Sequence, residues 1–122
     1  MESYKSLIVW QRASQVCLSV LQQTDESWKP RSAVVFEQLR RAALSVDLNI
    51  VEGYALNTVP LFRKHLRIAI GSAAETERLI EIAVLRKYLD SSYQDQIQPQ
   101  IDGTFRALLG LLRSPKLRTE RS

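Results

Sequence analysis

Apolar residues recur every three or four positions through four long stretches of this chain, with Pro, Ser, Thr, Asn and Asp clustered between them. That period is helical, and no segment shows the alternation of a half-buried strand. The pattern restricts the chain to an all-α fold. The first stretch runs from about Ser6 to Thr24, with Val9, Ala13, Val16 and Val20 on one side and Trp10, Cys17 and Leu21 beside them. It stops at TDESWKPRS, where Pro30 cannot sit in a helix interior and Ser32 is a good N-cap. A second helix is expected from about Ala33 to Leu56. The break NTVP follows, with Asn57 or Thr58 as cap and Pro60 in the first turn of a third helix reaching to about Leu89. Ser91 and Ser92 open the fourth, with Ser92 and Asp95 spaced as a capping box. Its stripe is Tyr93, Ile97, Ile101, Phe105, Leu108 and Leu112, and Pro99 within it predicts a kink or a late start. Short connections favour antiparallel neighbours. An up-down-up-down four-helix bundle over residues 1–113 is therefore the economical architecture.

At 122 residues, 45% of them hydrophobic, the chain can bury one working core without disulfides or metal. No apolar run approaches the roughly 20 residues of a membrane span, and no signal-peptide pattern opens the sequence. Cys17 is the only cysteine, so no internal disulfide can form and a reducing, cytoplasmic setting is expected. The formal net charge is +4, and the last ten residues, RSPKLRTERS, supply most of it with four basic side chains and one acid. A basic, flexible tail is therefore expected for residues 114–122. The remainder is nearly balanced, unlike a strongly basic nucleic-acid-binding domain.

The second helix carries more apolar surface than one core needs. Val35, Leu39, Ala42, Ala43, Val46, Ile50 and Gly53 crowd one arc of a helical wheel, and Gln38, Arg41, Ser45, Asn49 and Glu52 form a polar strip beside it. Leu44, Leu48 and Val51 make a second apolar stripe on the far side, flanked by Arg40 and Asp47. A contiguous exposed apolar stripe marks an interface, here a subunit contact. On the third helix Leu66, Ala69, Ala73, Thr76, Ile80 and Ala83 face inward, while Gly71 and Ala74 interrupt a basic strip of Arg63, Lys64, Arg67 and Arg78 on the outer side. Glycine costs about 1 kcal/mol in a helix interior relative to alanine, so Gly71 implies another backbone passing close, in the bundle or from a second subunit. The acids Glu75, Glu77 and Glu81 are interspersed, and Glu75 can pair with Arg78.

Reactive groups are few. His65, the only histidine, falls at the edge of an inner face and reads as structural, and Cys17 reads as a small core hydrophobe. No Glu-x-x-His motif or phosphate loop is present, so no metal, no cofactor and no enzymatic activity are expected. Arg41, Asn49 and Glu52 are placed to meet Arg67 or Glu75 across two helices, a pairing that sets register. A ring of subunits would repeat the basic strip about one axis and raise its field.

The stretches SYKSLIVWQRA, QLRRAALSVDLNIVEG and HLRIAIGSAAETERLI resemble the bacterial four-helix bundle family also called the 23S rRNA intervening-sequence protein family, in the expected order over most of the chain. Accessory variability determinant proteins of diversity-generating retroelements have similar folds. The resemblance implies a homopentameric barrel without recognised catalytic residues. Its retroelement relatives bind nucleic acid through basic surfaces and associate with a reverse transcriptase. Arg40, Arg41, Asn49, Glu52 and Gly53 fit the motif of the second helix, and Arg67, Gly71, Ser72 and Glu75 that of the third. GYAL stands where relatives often carry a second glycine and a basic residue, which would weaken a basic rim. The expected function is therefore a non-enzymatic ring that contacts RNA, or DNA, by charge and shape. Arg40, Arg41, Arg63, Lys64, Arg67 and Arg78 are the candidate contacts; Leu44, Leu48, Val51, Gly71 and Ala74 are the candidate interface. The alternative is a protein–protein adaptor, for example for a reverse transcriptase.

Overall fold

In a computed structural model, residues 3–114 are described and form a four-helix bundle, with no strand among them. The helices are α1 (Ile8–Glu26), α2 (Ala33–Ala55), α3 (Val59–Leu85) and α4 (Ser91–Arg113). The basic tail expected for residues 114–122 lies outside the described residues beyond Ser114. Each helix packs on its chain neighbours, and α4 closes the circuit against α1.

The boundaries follow local chemistry more closely than the apolar period suggested. The first helix starts later than expected, because Tyr4–Ser6 forms a separate 3-10 turn whose Lys5 N–H donates to the Ser3 hydroxyl at 2.9 Å. Ser32 does not cap α2 with its side chain. It closes a 3-10 turn, Pro30–Ser32, and its hydroxyl turns back to donate to the Lys29 carbonyl at 2.9 Å. Thr58 does cap α3, accepting from the Leu61 N–H at 3.4 Å, with Pro60 in the first turn as expected.

The third helix ends at Leu85, short of the expected Leu89. Lys87 turns left-handed at φ 63°, its N–H donates to the Val84 carbonyl, and the Tyr88 N–H donates to the Ala83 carbonyl at 2.7 Å. This is a Schellman closure, which satisfies the last carbonyls and turns the chain away. Asn57 adopts the same left-handed conformation after α2, a position that asparagine tolerates. The capping box expected at Ser92 and Asp95 is absent: the N-cap of α4 is Asp90, two residues before Ser92. Pro99 neither delays nor divides α4, which runs from Ser91 to Arg113 with the proline exposed. The missing donor belongs to a turn that water can reach, so its cost is limited.

Two clusters make the core. One gathers Val20, Phe36, Leu39, Ile80, Tyr93 and Ile97 among others; the second gathers Val9, Ile50, Phe62, Leu66, Ala69 and Leu108. Phe36 is fully buried, an inward position that the wheel of α2 had not singled out. Between the clusters lies a void of about 10 Å³, bordered by Thr76 and Thr104. Both hydroxyls donate to carbonyls of their own helices, Ser72 and Gln100, so they leave no polar group unsatisfied there.

Candidate subunit and nucleic-acid interfaces

The polar strip of α2 is a seam against α3. Ser45 and Ser72 share a hydrogen bond at 2.7 Å, and the side-chain oxygen of Asn49 accepts from the imidazole Nδ1 of His65 at 2.9 Å. The Asn49 amide donates onward to the Ser45 carbonyl at 2.8 Å. Ser72 and His65 thus take the polar partners along this seam, and Arg67, expected there, is exposed and makes no ion pair with a described residue. A Cβ on Gly53 would fall 2.7 Å from the Cβ of His65. Arg41 and Glu75 instead sit at the surface, bordering a shallow depression of about 260 Å³ with Gln38, Ser45 and Ser72.

Of the six candidate nucleic-acid contacts, two hold helix ends. The Arg40 guanidinium donates from Nη1 to the Leu21 carbonyl at 3.1 Å, the Thr24 hydroxyl at 2.8 Å and the Asp25 carboxylate at 2.7 Å. A cation at the carbonyl end of α1 is favoured by the helix dipole. Arg63 is half-buried and donates to the Leu112 carbonyl at 2.8 Å, serving the end of α4 likewise. Arg78 pairs with Glu81, one turn on, and not with Glu75 as expected. Arg41, Lys64 and Arg67 are exposed and make no ion pair with any described residue.

The candidate subunit stripe is on the surface in large part. Leu48 is 57% exposed and Leu44 37%, while Val51 is half-buried. Asp47, which flanks this stripe, accepts from the Trp10 indole N–H at 2.8 Å and so ties α2 to α1. Gly71 and Ala74 are exposed, and nothing lies within 4 Å of where a Gly71 Cβ would stand. Close approach within the bundle, among the described residues, therefore does not account for this glycine.

Cys17 is buried, and desolvation, with the nearby Asp47 charge adding to it and Arg40 opposing, pushes its thiol up to about 11. It is a protonated, unreactive group at neutral pH. Among the described residues no group of three or more His, Cys, Asp or Glu side chains is placed to hold a metal ion. Among the described residues no helix is long and apolar enough to cross a membrane.

Two residues that sequence reasoning missed are Arg12 on α1 and Arg106 on α4. Both guanidiniums lie close to the backbone of Gly103. The only trace in the sequence is a glycine within the fourth periodic stretch, which names neither arginine.

A comparison with curated proteins returns no match. The model of one protein family, described as 23S rRNA-intervening sequence protein, matches residues 5–110, which takes in all but the last turn of the bundle. The chain belongs to the 23S rRNA-intervening sequence protein family.

Proposed function

We propose that this protein is a non-enzymatic helical bundle that assembles as a ring-like homo-oligomer, a pentamer, and binds RNA by charge and shape. The observation carrying this reading is the outer surface of α2 and α3. Unpaired Arg41, Lys64 and Arg67 share it with the exposed Leu44 and Leu48 and with a glycine that close approach within the bundle does not account for. Apolar and small residues supply the subunit contact, and the repeated cations line the assembly. The family's description adds an RNA-related association.

Up-down-up-down connectivity is part of the same reading. It is supported by the pairings Ser45–Ser72 and Asn49–His65, in which one number rises as the other falls. The ring would contact phosphates and not base edges, since backbone contacts position a protein without reading sequence.

The test is solution mass by light scattering, with binding of a labelled oligouridylate at low and high salt. A mass near five subunits and an affinity that falls steeply with salt are expected. Leu44→Gln with Leu48→Gln should lower the mass. An unaltered mass in that variant removes the stripe from the interface, and binding that persists unchanged into high salt removes the electrostatic mechanism. A second reading, an adaptor for a protein such as a reverse transcriptase, draws on Leu18 and Leu85, which are exposed and lie outside the α2 stripe. Equal competition by neutral and anionic competitors would favour it.

A further inference from the structure

Positive charge also gathers on the other side of the bundle, between α1 and α4. Arg12 and Arg106 are both exposed, and neither has a carboxylate partner among the described residues. They are not dispersed. A Cβ on Gly103 would stand 2.7 Å from Nη1 of Arg12 and 3.9 Å from Nη2 of Arg106. The Arg12 head group thus rests on bare backbone of α4, in a seat that any side chain at position 103 would fill, and Arg106 lies close to it.

The seat opens into a groove of about 230 Å³ between the helices, bordered by Ile8, Gly103 and Ala107 as well as the two arginines. Ile8 and Ala107 also border a second, more apolar trough of about 460 Å³ that continues toward Gly110 and Leu111. Two guanidiniums bordering one groove without an acid repel each other, and an anion between them turns that repulsion into attraction. A phosphodiester presents two non-bridging oxygens to the planar N–H forks of arginine. The adjoining trough, with Ile8 63% exposed, gives the attached sugar and base an apolar bed.

We infer that Arg12 and Arg106, seated over Gly103, grip a phosphodiester of single-stranded RNA on the α1–α4 face. The inference rests on the nucleic-acid reading above and gives it a second contact surface, away from Lys64 and Arg67.

Gly103→Ala separates this role from a structural one. It adds no charge and improves helix propensity, and the added methyl meets only the mobile end of Arg12, so the fold should be no less stable. Displacing that guanidinium should nevertheless weaken binding. Polarisation of a fluorescein-labelled oligouridylate at low salt should show binding weaker by roughly a hundredfold for Arg12→Gln with Arg106→Gln, since two charge-assisted hydrogen bonds are lost. The salt slope should fall by about 0.7, because the two arginines share one phosphate of a single strand. Gly103→Ala should bind more weakly than the parent while melting no lower.

Parent-like binding in both variants, with loss only in Lys64→Gln and Arg67→Gln, overturns the α1–α4 site and leaves the RNA reading standing. Equal competition by polyglutamate overturns RNA as the ligand of this face. A parent protein that ignores the oligouridylate at low salt overturns the RNA reading itself and this site with it.

Discussion

Replacing Gly53 by alanine should destabilise the protein even though alanine is the better helix former. In an unconstrained helix interior the change gains about 1 kcal/mol. Here the new Cβ would stand 2.7 Å from the Cβ of His65 and 3.2 Å from Cδ1 of Phe62. Carbon atoms pack at about 3.5–4.0 Å, so the first contact is short by roughly 1 Å. Both Cβ atoms are fixed directly to helix backbones, and no rotamer change relieves the clash. α2 and α3 must separate. Overpacking of this kind costs about 2 kcal/mol, and opening the seam strains the Asn49–His65 bond, worth about 1 kcal/mol more. Against the propensity gain, the net loss is about 2 kcal/mol, or a Tm lower by about 8 °C in a domain of this size. Gly110→Ala is the control. It lies in α4 with nothing within 4 Å of its added methyl, so it should gain about 0.5 kcal/mol. Urea unfolding of the two variants, followed by circular dichroism at one protein concentration, measures both. If Gly53→Ala matched Gly110→Ala in sign, close approach at the α2–α3 seam would not be what position 53 requires.

The left-handed Lys87, at φ 63°, carries a steric cost that glycine avoids, so Lys87→Gly should raise stability by about 1 kcal/mol in the same urea assay; a loss would refute strain at this turn. Arg40→Ala should cost about 1–2 kcal/mol by freeing the end of α1, whereas Arg41→Ala, exposed and without an ion pair, should stay within about 0.5 kcal/mol. Equal losses would mean that the α1 clamp contributes nothing special. Burial raises the Cys17 thiol from 9.0 to about 11, so an unfolded chain releases this proton first as pH rises. The contribution is therefore fully present below pH 9 and is lost on passing through about 11, at up to roughly 1.4 kcal/mol per pH unit. Cys17→Ala should fall less steeply than the parent in unfolding measured across that window, and parallel slopes would refute the coupling.

Periodicity alone located every helix to within a few residues, because an amphipathic helix has to repeat its apolar positions to bury one side. The inward residues of α3, Leu66, Ala69, Ala73, Thr76, Ile80 and Ala83, are all buried, as their spacing required. Helix ends were less legible. Ser32, Ser92 and Asp95 have the composition of caps, yet a 3-10 turn and an earlier start at Ser91 displaced them. Capping depends on backbone angles at a single residue, which composition biases without determining.

The candidate site divides along the same line. The exposed Leu44 and Leu48 and the exposed Lys64 and Arg67 could be placed from one helix at a time, since a wheel orders residues around an axis. Which cations were already engaged could not. Arg40 reaches α1 and Arg63 reaches the end of α4, and both engagements depend on how the helices are rotated and offset against one another. The placement of Arg12 and Arg106 is the extreme case: residues at opposite ends of the chain lie near one glycine only because α4 packs on α1. Sequence by itself determined the four helices and their buried stripes, a consequence of local periodicity and the hydrophobic effect. Tertiary structure decided which polar side chains are occupied and which remain available, because the register between helices sets those distances.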